Sequence, residues 1–203
     1  AFLPSYRKQW IKATDYLRET ILSYGKLVGP YPYQTMKAAL GDMKAGGGME
    51  YPTITVCSSA DKGTIIHEVG HNWFYGMLGS NERTYPWMDE SINTFYEQKI
   101  DGKLAYDSSF FGPIKNSEWA NKYGNLAGYL YTAGLGISQP LNLPSDDFLN
   151  INYGAVVYAK GPLLFAYLEQ QMGDSLFEKC MHQYFSKWQY KHPLPGDMQA
   201  SFE

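Results

Sequence analysis

The 203-residue chain carries 17 Lys and Arg against 20 Asp and Glu, a net charge of −3, and 44% of its residues are hydrophobic. That balance excludes a disordered tail and a nucleic-acid-binding face, and the length suits one domain with a sizeable core, residues 1–203. Two cysteines, Cys57 and Cys180, are too few for a disulfide scaffold or a cysteine-based zinc site, and no run of about 18 apolar residues marks a membrane span.

In chain order, Leu3, Tyr6, Trp10, Ala13, Leu17, Ile21, Tyr24 and Val28 recur every three or four residues. This spacing predicts one amphipathic helix, lying as a lid on the core and stopped by Gly29-Pro30. The segments TMKAALGDM (35–43) and TITVCSS (53–59), bounded by Gly, Pro or Ser, read as strands, with KAGGGMEYP between them. Asp61 is placed to cap the next helix, whose apolar residues Ile65, Ile66, Val69, Phe74, Met77 and Leu78 predict a buried position running to Leu78. A short polar turn leads to WMDESINTFYEQKI (87–100), a second helix expected to pack antiparallel on the first. Residues 102–152, rich in Gly, Tyr, Asn and Pro, read as short helices and long loops. A helical pattern resumes at Tyr153, and a further helix is expected to begin with Asp174 as its N-cap. The opening AFLPSYRKQW lacks the apolar segment of a secretory signal, and both ends read as cuts through a larger protein.

The chemistry concentrates in TIIHEVGHNWFYGMLG (64–79). Residues four apart share a helix face, so His67 and His71 can direct imidazole nitrogens at one point, at the distance of about 2.0 to 2.1 Å that zinc requires. Glu68, one residue past the first histidine, falls off the metal and near a water on it, where a carboxylate can accept a proton. A catalytic zinc needs a third protein ligand, and the next helix offers Asp89 and Glu90, the latter after eighteen intervening residues. Glu97, seven residues beyond Glu90 on the same face, reads equally as a surface glutamate or as a group that orients a ligand histidine. His182 and His192 lack a partner at ligand spacing and read as packing residues.

HEVGH followed by Glu90 resembles the gluzincin metallopeptidases of the aminopeptidase N and leukotriene hydrolase family. GGGMEYP (46–52) is similar to that family's GxMEN strand, and VVYAKGP (156–162) to its Tyr-x-Lys-Gly segment. The resemblance covers essentially the whole chain as a thermolysin-like catalytic domain, α+β, with a small sheet and a mainly helical lobe flanking a zinc cleft. It implies zinc ligation by His67, His71 and Glu90, and Glu68 as general base. It also implies that Tyr158 stabilises the tetrahedral intermediate and that Glu50 binds the substrate's free α-amino group. An edge strand near Gly48, Met49 and Tyr51 would run alongside the peptide substrate. The implied activity is removal of N-terminal residues from peptides by a zinc-dependent aminopeptidase. Alternatives on the same zinc chemistry are an endopeptidase or an epoxide hydrolase. From another class comes a catalytically silent interaction module, against which the retained ligands and base argue. Two positions depart from the family pattern: Tyr51 replaces the GxMEN asparagine, and Asp89-Glu90-Ser91 replaces Asn-Glu-Gly. Related enzymes add a β-rich domain upstream and a helical domain downstream, so contacts to such flanking domains are expected.

Overall fold

The apolar spacing at the start of the chain yields two helices where one was expected. After a 3₁₀ turn at Pro4–Tyr6 come α1 (Arg7–Trp10) and α2 (Ala13–Leu27), separated by a turn at Ile11 and Lys12. The break lets Trp10 and Ala13 both face inward while Ile11 stays in solvent. The computed structural model describes residues 1–44, 46–101 and 118–203.

Helix α2 is part of the core instead of a lid over it. Tyr24 is fully buried, stacks on Trp73 with ring centroids 5.0 Å apart, and donates its hydroxyl to Asn93 Oδ1 at 2.8 Å. Trp73 Nε1 donates to Gly29 O at 2.7 Å, which fixes the chain where it leaves α2. Phenol and indole thus bury large apolar areas while their polar atoms stay paired.

Three short strands follow, β1 (Lys37–Leu40), β2 (Gly48–Met49) and β3 (Ile54–Cys57), in the order β1-β3-β2. β1 runs parallel to β3 with Ala38 opposite Thr55, and β2 runs antiparallel with Gly48 opposite Cys57. Alternation along β3 turns Thr55 and Cys57 inward and leaves Ile54 exposed. The buried Thr55 hydroxyl is satisfied by Met49 O at 2.9 Å, a bond from the central strand to edge strand β2.

Helix α3 (Lys62–Gly70) is capped by Asp61, whose carboxylate accepts from Thr64 N at 3.2 Å. It is shorter than the apolar pattern suggested, because past Gly70 the bonds close first after three residues, from Asn72 N to Val69 O and Trp73 N to Gly70 O, and then after five. Gly76, Met77 and Leu78 donate to the carbonyls five residues back, on His71, Asn72 and Trp73, at 2.8, 3.0 and 2.9 Å. Tyr75 takes φ 101 in this turn, a conformation unusual for a side-chain-bearing residue. Phe74, Met77 and Leu78 are still buried, so the periodicity reported burial correctly and the backbone type wrongly. A 3₁₀ turn at Pro86–Met88 then leads into α4 (Glu90–Asp101), which packs on α3.

Helix α5 (Glu118–Gly134) is a 17-residue helix inside the stretch read as loops, and the rest of that stretch includes residues 102–117, which lie outside the described residues. Beyond a helical turn at Asn150–Asn152, residues Tyr153–Lys160 form a π-helical segment that runs directly into α6 (Gly161–Met172). The cap before α7 (Asp174–Trp188) is Gly173, at φ 79, with Asp174 the first helical residue. The last element is α8 (Pro195–Phe202). The fold is therefore α+β, a small mixed sheet beside a mainly helical lobe, and no described helix is long and apolar enough to cross a membrane.

The glycine inside HEVGH is set by this packing. A Cβ on Gly70 would lie 2.1 Å from Asn93 Oδ1 and 2.2 Å from the Tyr24 hydroxyl, the two atoms whose bond ties α2 to α4. Gly70→Ala is expected to destabilise the fold by about 1 to 3 kcal/mol, read as a shift of the urea unfolding midpoint. An unchanged midpoint would mean that the three helices separate without cost.

Candidate active site

Three side chains, from the end of α3 and the start of α4, meet at the α3 C-terminus. His67 and His71 lie one turn apart; His71 is the α3 C-cap and keeps helical dihedrals, so its ring stays on the face of His67. Their Nε2 atoms are 3.1 Å apart, and Glu90 Oε2, from the first turn of α4, is 3.1 Å from one and 3.3 Å from the other. Each Nδ1 is occupied from behind. His67 Nδ1 is 3.0 Å from Glu97 Oε2, and His71 Nδ1 is 2.6 Å from Asp89 Oδ1 and 3.2 Å from Phe74 O.

This arrangement decides the tautomer. A carboxylate or carbonyl facing Nδ1 requires a proton there, which leaves a lone pair on each neutral Nε2. Two lone pairs and a carboxylate oxygen then point at one another, which is repulsive unless a proton or a metal ion lies among them. Burial lowers the proton affinity of both imidazoles, yet the bonds of His67 to Glu90 and Glu97 push its pKa up to about 10. Asp89 and Glu90 likewise hold His71 well above its usual value. Burial would raise Glu90, but the two imidazoles outweigh it and hold that carboxyl well below the usual range. All three groups favour a cation at the same point. Ligand atoms held tetrahedrally at about 2.0 to 2.1 Å from an ion are about 3.3 Å from one another, close to the edges observed, so the donor set fits a divalent metal of zinc's preferences.

Glu68 is buried and not engaged by this cluster. Its Oε2 has no hydrogen-bond partner among the described residues, and burial pushes its pKa up to about 7 against the pull of His67 and His71. Gly48 of edge strand β2 lies directly over it, since a Cβ there would sit 2.5 Å from Glu68 Cδ and 2.6 Å from Val56 O. Glu50 follows two residues after Gly48. Its carboxylate comes within 4.8 Å of those of Glu82 and Asp89, making that side of the site acidic. Tyr158, on the π-helical segment, has its ring centroid 6.0 Å from that of His67 and lies beside the Glu90 carboxylate. Burial and the Glu90 charge hold its pKa well above the usual value, so it remains a hydrogen-bond donor.

The structure thus brings together His67, Glu68, His71, Glu90 and Tyr158, with Gly48, Met49 and Glu50 along the adjoining strand. Of the two readings open for Glu97, the ring-orienting one matches its place behind His67. Asp89, a candidate third ligand by sequence, stands behind His71 instead. Asn93 was not foreseen: it accepts from Tyr24 and donates from Nδ2 to His67 O at 2.7 Å, fixing the backbone of the first histidine. Its only sequence signal is its position, three residues after Glu90. Glu82 and Tyr153, whose ring centroid lies 5.8 Å from that of Tyr158, gave no signal. His182 and His192 bond the carbonyls of Lys26 and Gly79, and both cysteines are free.

Residues 19–203 match the family model described as the peptidase family M1 domain. Probable aminopeptidase 2 of Sulfurisphaera tokodaii is 25% identical over 141 residues, covering 68% of this chain and 17% of that protein. Leukotriene A-4 hydrolase of Xenopus laevis is 27% identical over 183 residues, covering 85% and 30%. Among solved structures, yeast LTA4 hydrolase in complex with Bestatin has a TM-score of 0.70 at 20% identity, covering 98% of this chain and 33% of that one. An M1 zinc metallopeptidase mutant of Deinococcus radiodurans, bound to a Tyr-Ser-Ala substrate, has a TM-score of 0.64 at 20% identity, covering 92% and 39%. The chain spans less than a third of the length of these curated relatives.

Removing the carboxylate behind His67 frees that ring to rotate and to change tautomer. Glu97→Ala is expected to weaken zinc affinity about 10- to 100-fold, measured by competition with a chromophoric chelator. An unchanged affinity would show that Glu97 is a bystander.

Proposed function

The chain belongs to peptidase family M1, and on that premise we propose that it is the catalytic core of a zinc-dependent aminopeptidase. The observation that carries this reading is the triangle of His67 Nε2, His71 Nε2 and Glu90 Oε2 with the unpaired carboxylate of Glu68 beside it. These three atoms would hold the ion. When bound, zinc polarises the scissile carbonyl and lowers the pKa of a water toward about 7.

The chain's own groups supply the rest. Glu68, poised by burial at about pH 7, takes the proton of the attacking water and can return it to the leaving amine. Its buried, unpaired oxygen costs stability in the resting protein and is what makes the carboxylate available as a base. Tyr158, beside Glu90, donates its hydroxyl to the carbonyl oxygen of the substrate as charge develops there. Loss of such a donor typically costs on the order of 2.7 to 4 kcal/mol of barrier. Asp89 and Glu97 hold the two imidazoles in one tautomer.

Substrate direction follows from Glu50. The acidic corner it forms with Glu82 and Asp89 attracts a protonated α-amine, so a free N-terminus is rewarded and an acylated one is left unrecognised. Edge strand β2, with Gly48 and Met49, offers backbone groups along which an extended peptide can lie. The relatives named as aminopeptidases, and the M1 relative solved with a tripeptide, support a peptide substrate.

Two measurements on the full-length protein test this. Aminoacyl anilides are expected to be cleaved and their N-acetylated copies spared, with activity lost on chelation and restored by zinc; equal cleavage of blocked copies sinks the aminopeptidase assignment. Glu68→Gln is expected to keep its zinc and lose turnover by about 10²- to 10⁴-fold. A variant that also loses its metal would contradict the role given to Glu68.

A further inference from the structure

Tyr158 sits on an unusual support. Residues Tyr153–Lys160 are π-helical, and in such a segment each carbonyl accepts from the N–H five residues on. For Val157 that residue is Pro162, which has no N–H. The nitrogen four residues on belongs to Gly161, and it already donates to Val156 O. The Val157 carbonyl is thus left without a donor at either the α or the π position of its own helix, inside a fully buried residue.

The missing donor comes from another element. Ser91 Oγ, fully buried in the first turn of α4, donates to Val157 O at 2.6 Å. Room for it is made by Gly161, where a Cβ would lie 2.1 Å from Ser91 Oγ and 2.4 Å from Ser91 Cβ. Ser91 immediately follows Glu90, and Val157 immediately precedes Tyr158. A single hydrogen bond therefore joins the backbone beside the third metal-ligand candidate to the backbone beside the tyrosine.

We propose that Ser91 is a positioning residue: its hydroxyl supplies the bond that Pro162 and Gly161 cannot give to Val157, and so sets Tyr158 at a fixed height above Glu90. This rests on the aminopeptidase reading for what Tyr158 does, but the tie itself stands on geometry alone. It also gives a role to one departure from the family pattern, since the glycine of Asn-Glu-Gly has no side chain with which to make this bond.

The test uses the zinc-loaded full-length protein. Ser91→Ala is expected to lower kcat about tenfold with KM unchanged. Zinc content should stay at the wild-type level, and amide exchange at positions 157–163 should accelerate while that of α3 does not. Ser91→Cys, which retains a weaker donor, should fall between the two. In a Tyr158→Phe background Ser91→Ala should add little, because both changes remove one function. Full additivity of the two substitutions, or unchanged exchange at positions 157–163, overturns the proposal. A Tyr158→Phe protein with wild-type kcat instead overturns the assignment of Tyr158 and the kinetic half of the proposal, and the exchange data then decide the tie on their own.

Discussion

Two imidazole nitrogens and a carboxylate oxygen converge within about 3.3 Å. The rest of the molecule is organised to keep them so. Asp89 and Glu97 occupy the outer nitrogens, which prevents the rings from turning to relieve the repulsion. Asn93 ties the His67 carbonyl to α4, and the Tyr24 hydroxyl ties Asn93 to α2, so three helices share responsibility for one ring position. Such a site is preorganised for a cation and poorly suited to anything else.

Charge explains why the site is deep. Asp89, Glu97 and Glu68 are buried, and buried carboxylates are costly unless paired. Asp89 and Glu97 are each paired with an imidazole, and Glu90 is held ionised by both. Glu68 has a buried oxygen with no hydrogen-bond partner among the described residues, and burial raises its pKa, as it also raises that of Asp89. One site therefore contains a carboxyl kept charged and a carboxyl poised to take up a proton, a division made by neighbours instead of residue type.

Much of this was legible in sequence because helical spacing is rigid. His67 and His71 at i and i+4, and Glu90 and Glu97 at i and i+7, are fixed to common faces by the geometry of 3.6 residues per turn. What was not legible depended on contacts between distant segments or on small changes in helical pitch. The pattern through Leu78 correctly marked buried residues, but burial is indifferent to whether bonds close after four residues or five. The 17-residue helix α5 was hidden by glycines and asparagines that lower helix propensity, which tertiary packing against the π-helical segment overrides. Asp89 and Glu90, adjacent in sequence, project to different sides of His71, and only the turn into α4 decides which reaches the shared point.

The glycines of the motifs carry a further lesson. A run of glycines such as the one before Met49 can serve for backbone freedom and leave room for a ligand. Gly46 and Gly47 fit that description, with φ of 75 and 65 and no neighbour near the missing Cβ. Gly48, Gly70 and Gly161 do not: each has ordinary backbone dihedrals and a functional or structural side chain in the space its own would fill. Those neighbours are Glu68, the Tyr24–Asn93 pair and Ser91 respectively. At these positions glycine sets a distance of closest approach between two elements. A motif read as a string of special residues is then better understood as a set of contacts. The reactive side chains and the glycines beside them are partners across helix and strand boundaries, and changing either moves the other.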